Sequence, residues 1–182
     1  MNNRPIASQQ SQPSQTNASR YNKNVVSFEN PTDLTEEINA LKDGEITSED
    51  VEKYLISLIN EVFPTKSEHL QIKIAKENNR HVLRSSIKLN NRQQRRHDAS
   101  ILKLDKIIKN SVCVKSTTTN KEHNSRARTN QHKKNVSEYL LFSSPVKVGE
   151  NVYVAYLTTE RKSNRKDYNT LDLYDIEVKK SG

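Results

Sequence analysis

Fifteen of the chain's 30 Lys and Arg residues lie between Arg80 and Lys134. Only three acids, Asp98, Asp105 and Glu122, stand among them, so the block nets +12 while the whole chain nets +8 and the remainder −4. Four of the five histidines (His81, His97, His123 and His132) fall in the same block. A charge distributed this unevenly is a surface field whose natural partner is a polyanion. Imidazole among cations is also the composition of a site that binds RNA and can cut it without metal. Such cleavage needs a base for the 2′-hydroxyl proton, an acid for the leaving 5′-oxygen and donors for the charged phosphorane. Histidine suits the first two roles because it titrates near neutrality; Arg and Lys suit the third.

The parts for that chemistry are His97, His132, Lys133, Arg95, Arg96, Lys88, Thr158, Thr159 and Tyr168. His97 lies one turn before Ile101, at the leading end of an apolar stripe on a segment otherwise coated in cations. Two readings compete there: a helix-end imidazole packed against the core, or one held by the core and pointed into a basic cleft. His132 precedes a strand beside Lys133 and Lys134, as a loop residue or an acid–base group. His81 falls in an expected strand, His69 on the surface, and His123 in a loose loop where it would contact rather than catalyse. Thr158 and Thr159 close a strand, where Thr is ordinary, or hold a phosphate or an imidazole. Tyr168 follows a charged loop, as a surface tyrosine or as a base-stacking donor.

Other chemistries lack their residues. One cysteine, Cys113 in the apolar run Val112-Cys113-Val114, gives no internal disulfide framework and reads as a buried strand residue, weakly indicating a reducing compartment. The histidines have neither i,i+4 nor C-x-x-C-type spacing, so no zinc site is expected, and the basic block has too few acids for a magnesium nuclease. No metal or other cofactor is expected. With three glycines in all, no phosphate-cradling Gly-rich loop is present. No apolar run is long enough to span a membrane, and the polar N-terminus lacks an apolar signal core.

The elements that must position these residues follow from patterning. Hydrophobic content of 32% is low against the usual ~45–50%, which predicts a disordered polar arm over residues 1–27, rich in Asn, Gln, Ser, Pro and Thr. The other ~130–150 residues suffice for one core. A helical hairpin is expected over 28–66. Leu34, Ile38 and Leu41 form its first stripe and Gly44 its stop. Thr47 or Ser48 caps the second helix, with Val51, Leu55, Leu58 and Val62 as its stripe and Pro64 as its end. This acidic pair would buttress the domain and keep clear of the polyanion. Leu70, Ile72 and Ile74 alternate as a strand, and Asn78-Asn79 turns into a second short strand, His81 to Ser86. A helix runs from Asn91 to about Asn110, Val112 to Val114 is a brief strand, and 115–131 is a mobile loop. Strands follow at Val136–Val148, with a bulge or break at Pro145, at Val152–Thr159 and at Leu171–Val178, around a turn at Gly149-Glu150-Asn151.

Three segments of 81–178 carry a family resemblance: Ser86 to Asn110 with Arg96-His97-Asp98-Ala99-Ser100; His132 to Gly149; and Val152 to Glu160 closed by Leu173-Tyr174-Asp175-Ile176. Together they resemble the nuclease domains of large phage polyvalent proteins, in the broad class that groups barnase, EndoU, colicin-type and RelE-like ribonucleases. The resemblance implies an α+β fold in which a helix packs on a mostly antiparallel sheet of roughly four to five strands, behind the N-terminal hairpin and within a domain at 67–182. It implies His97 and His132 as acid and base, Thr159 and Tyr168 as supporting donors, and Lys88 or Arg96 as phosphate ligands.

The expected function is a metal-independent, toxin-like endoribonuclease of phage or mobile-element origin. It would cut tRNA, mRNA or rRNA in the cytoplasm of a bacterial host, with Lys88, Arg92, Arg95, Arg96, Lys133 and Lys134 gripping the strand. A cognate inhibitor or a host protein complex would be a further partner. The rival expectation is a catalytically inactive module of the same fold that binds RNA or a protein, such as an inhibitor of a host defence complex.

Overall fold

The structure, a computed structural model, describes residues 30–84, 88–118 and 135–181. In chain order they form β1 (Thr32–Asp33), α1 (Thr35–Lys42), α2 (Ser48–Ser57), β2 (Val62–Pro64), β3 (Gln71–Lys73), a 3₁₀ turn (Lys76–Asn78), α3 (Asn79–Leu83), α4 (Asn91–Leu102), α5 (Leu104–Lys109), β4 (Val112–Thr118), β5 (Val136–Val148), β6 (Asn151–Lys162) and β7 (Thr170–Lys180). The arm expected at 1–27 and the loop residues 119–131 lie outside the described residues.

Local chemistry starts several elements. At the head of α2 the Asp50 N–H donates to the Thr47 hydroxyl at 3.3 Å, and the Thr47 N–H donates to the Asp50 carboxylate at 2.8 Å. This reciprocal capping box satisfies two otherwise orphaned amides. Thr47→Ala should cost about 1 kcal/mol, read as a lower urea midpoint; an unchanged midpoint would show the cap to be idle. Asn90 and Gln93 make the same box on α4. Gly149, at φ +57°, opens the two-residue connection between β5 and β6, a position that demands positive φ and so favours glycine.

The chain is α+β, but the sheet is not the expected one. Seven strands form one curled, half-barrel sheet in the order β1-β5-β6-β7-β3-β2, with β4 also on β5. It is mixed: β1 runs parallel to β5 and β3 parallel to β7. This overturns the four- to five-stranded, mostly antiparallel sheet and with it the barnase/EndoU/RelE-like architecture. The added strands are two or three residues long. β1 exists because the remote β5 completes its hydrogen bonds, and β2 because it folds back on the neighbouring β3; both are too short to show a strand pattern of their own.

Other boundaries move for related reasons. The helix expected from Asn91 to Asn110 breaks at Lys103 (φ −115°, ψ 21°), and beyond the break Leu104, Ile107 and Ile108 are all fully buried. His81 lies in a helix, not a strand. The Asn78 amide donates to the Glu160 carboxylate at 2.9 Å and to the Leu173 carbonyl at 3.0 Å, and that long-range anchor sets the path into α3. Helix α2 stops at Ser57, and Val62 starts a strand instead of ending the helical stripe. Pro145 neither breaks nor bulges β5. It sits on an edge where β4 pairs as far as Ser143 and β1 begins at Val146, a gap that tolerates a residue without an N–H.

One core joins all these elements. Leu34, Val51 and Leu55 from the N-terminal region pack with Ala99, Ile101, Leu104, Ile107 and Ile108 of α4 and α5, over Leu140, Phe142, Leu157, Leu173 and Ile176 of the sheet. In β7 the register jumps from Thr159↔Leu173 to Thr158↔Asp175. Tyr174 is therefore the extra residue of a β-bulge, which re-aims the side chains beside it.

Candidate nucleic-acid interface

From Arg80 to His97 the sequence contains six cations and no acid. Arg80 is exposed on α3 and Arg84 just beyond its end, Lys88 lies in the link, Arg92 is exposed in the first turn of α4, and Arg95 and Arg96 are half-buried on the same helix. Among the described residues no carboxylate lies within ion-pair distance of any of the six, whereas Lys103, Arg161 and Arg165 each have one. Arg96 packs its guanidinium 4.7 Å above the Tyr153 ring, and its buried Nε has no hydrogen-bond partner. The amino-terminal end of α4 adds its partial positive charge to the same surface.

The later cations of the block are spent differently. Lys103 pairs with Glu37 of α1 at 2.9 Å, and Lys109 lies over the Phe63 ring at 5.7 Å. Helix α1 thus places one acid, Glu37, against the basic segment and compensates Lys103. The sequence pattern shows a uniform cationic segment, and packing withdraws Lys103 from it by pairing it with Glu37.

His97 is 2% exposed, and neither ring nitrogen has a hydrogen-bond partner among the described residues. Its Nδ1 is 3.7 Å from Asp98 Oδ1, beyond hydrogen-bonding distance. The fold thus places the His97 imidazole in the buried face of α4, beside Asp98. Thr159 is fully buried and donates its hydroxyl to the Leu140 carbonyl at 2.9 Å; it serves the sheet and has no free donor to offer. Tyr168 is 67% exposed. The Arg161 guanidinium stacks on its ring at 3.8 Å and bonds its carbonyl, while Arg161 Nε holds Glu138 at 2.8 Å. Tyr168 and Thr159 are thus tied to separate partners, Arg161 and Leu140. His123, His132, Lys133 and Lys134 lie outside the described residues.

The residues that do gather are ones the sequence left unassigned. At the β7 bulge the His81 ring stacks on Tyr174 with centroids 3.9 Å apart, and Tyr139 meets Tyr174 edge-on at 6.3 Å. His81 Nδ1 is 3.9 Å from Asp175, and the two side chains are 34% and 22% exposed. Burial pushes the Asp175 carboxyl above the usual carboxylate range, against the pull of His81 and His97. Burial, then Glu160 and Tyr174, push the Tyr139 hydroxyl up to about 12; burial with Glu160 and Asp175 raises Tyr174. Both phenols therefore remain neutral donors at physiological pH. No single stretch carries this cluster: it needs α3, β5, β6 and β7 together. The doublet Tyr174-Asp175 beside a strand phase change was its one sequence signal.

Cys113 is half-buried in β4, and burial pushes its thiol up to about 11. At pH 8 only about one molecule in 10³ then carries the nucleophilic thiolate. Iodoacetamide should alkylate Cys113 far more slowly than free glutathione at that pH. Equal rates would show the thiol to be open.

Among the described residues no group of three or more His, Cys, Asp or Glu side chains is placed to hold a metal ion, and no helix is long and apolar enough to cross a membrane. No protein-family model, curated protein or solved structure matches the chain.

Proposed function

We propose that this chain binds RNA in the host cytoplasm along the open cationic surface of α3 and the first turns of α4. The observation that carries this reading is the set of six cations, Arg80 to Arg96, with no carboxylate at ion-pair distance among the described residues. A surface that leaves cations uncompensated, while acids elsewhere in the fold are paired, is suited to phosphate oxygens. The test is binding of a labelled single-stranded RNA at rising salt. A steep loss of affinity supports the reading; no binding at low ionic strength removes it.

A second reading is cleavage of that RNA without metal, as expected of an endoribonuclease of phage or mobile-element origin. The observation favouring it is His81, a partly exposed imidazole on the same helix as Arg80, backed by Asp175 and stacked on Tyr174. In this reading His81 exchanges protons with the substrate, and the neutral Tyr174 hydroxyl donates nearby. Resemblance to phage polyvalent nuclease domains supports cleavage; the sheet topology that went with it does not. RNA incubated in EDTA with the wild-type chain and with His81→Ala decides between the readings. Turnover lost in His81→Ala with RNA affinity kept supports cleavage, and absence of turnover in the wild type leaves binding alone.

A further inference from the structure

A cavity of about 450 Å³ opens between α2, α3 and α4, within the roughly 300–1,000 Å³ of small-ligand sites. Its lining is chemically mixed. Arg80 of α3 and Arg84, the residue that follows the helix, both line the cavity. Neither guanidinium has a carboxylate at ion-pair distance among the described residues. The rest of the lining is Gln94 and Asp98 of α4, Ser48 and Glu52 of α2, and the apolar Val51 and Leu83. Asp98 is only 8% exposed. Its Oδ1 accepts from the Gln94 side-chain amide at 2.9 Å, and its Oδ2 takes no hydrogen bond from a described residue. That bond also uses the Gln94 amide nitrogen, which leaves the Gln94 carbonyl oxygen open. The Gln94 amide keeps its second N–H, so the unpaired acceptors of the pair are the Gln94 carbonyl oxygen and Asp98 Oδ2.

We infer that this cavity takes one ribonucleotide of a bound strand, with its phosphate on Arg80 and Arg84 and an amino-bearing base against Asp98 and Gln94. The inference rests on the RNA-binding reading and adds a base preference to it. Guanidinium forks match phosphate oxygens bidentately. A carboxylate oxygen and an amide carbonyl accept N–H groups, and adenine, cytosine and guanine each offer an exocyclic NH₂. Uracil has no exocyclic NH₂: it offers one ring N–H flanked by two carbonyl oxygens, whose lone pairs would be set against the carboxylate. A polar site built to bind a donor rejects an analogue that lacks it, because the buried acceptor is left unpaired.

The experiment is titration of the full chain with AMP, GMP, CMP and UMP, with inorganic phosphate as competitor and a salt-dependent RNA titration alongside. The three amino-bearing nucleotides should bind at least about fivefold more tightly than UMP, the ratio that corresponds to ~1 kcal/mol of base discrimination, and phosphate should displace them. Asp98→Asn keeps the size of the side chain but adds a donor, so it should abolish the discrimination against UMP. Arg80→Ala with Arg84→Ala should weaken every nucleotide while leaving adenosine unchanged. Far-UV circular dichroism and urea midpoints establish that each variant is folded. RNA binding with equal affinity for all four nucleotides, unaltered by Asp98→Asn, overturns the inference and spares the RNA reading. Discriminating nucleotide binding without RNA binding does the reverse.

Discussion

Leu55→Ala will lower the stability of the entire chain by about 2–5 kcal/mol, the range for truncating a fully buried leucine. Leu55 is 0% exposed in α2 and belongs to the same buried cluster as Ile101, Phe142 and Leu157. Its removal opens a cavity beneath α4, and partial relaxation of the neighbours sets where in that range the cost falls. Urea unfolding followed by far-UV circular dichroism and by tyrosine fluorescence should give one shared transition, shifted to lower urea. A destabilisation under about 1 kcal/mol, or two separate transitions, would make the N-terminal helices an appended unit. A fragment beginning at residue 67 extends the same test. It lacks Leu34, Val51 and Leu55, and it unpairs β5 at Val146 and β3 at Ile72. That fragment should show no cooperative transition.

Replacing Arg80, Arg84, Arg92 and Arg95 together by alanine should flatten the salt dependence of RNA binding. Each phosphate that a cation neutralises on a single strand adds about 0.7 to the slope of log affinity against log salt. If each of the four arginines neutralises one phosphate, the quadruple variant should be shallower by about 3. None of the four is fully buried, and none has a carboxylate at ion-pair distance among the described residues, so stability should change little. The matching control is Lys106→Ala with Lys109→Ala, on α5 beyond the paired Lys103. It should leave the slope nearly unchanged. Equal effects from the two sets would mean that net charge, not the α3–α4 surface, attracts RNA.

The sequence was legible where the deciding interactions are local. Thr47 with Asp50 marks the start of α2 because a capping box closes over three residues. Leu70, Ile72 and Ile74 mark a strand because alternation puts one face inward, and Ile72 and Ile74 are buried as that pattern requires. Gly149 marks a tight turn because its backbone needs positive φ. The long strands β5, β6 and β7 follow the same logic. The α+β class was legible for this reason, and so was the cationic block.

Partners elsewhere in the fold decided the rest. β1 and β2 are too short to carry a pattern and appear only where β5 and β3 bond to them. Asn78 reaches Glu160 and Leu173, turning an expected strand into α3 and delivering His81 to the bulge at Tyr174. The position of His97 on the apolar stripe left its role open, and burial settled it inside. The hydroxyl of Thr159 is chemically available in the sequence and committed to Leu140 in the fold. Glu37 stands 66 positions before Lys103 and cancels a charge that the sequence counts as free.

By itself, then, the sequence determined a cationic α+β chain whose capped helices, tight turn and long alternating strands have known starting points. The tertiary structure alone decided which cations stay unpaired, that His81, Tyr174 and Asp175 meet, and that a cavity forms between α2, α3 and α4. Spacing encodes contacts within a few residues, where helix and strand periods fix geometry. Burial and charge compensation depend on which remote surfaces close against each other, and that is settled only when the curled sheet and its helices pack.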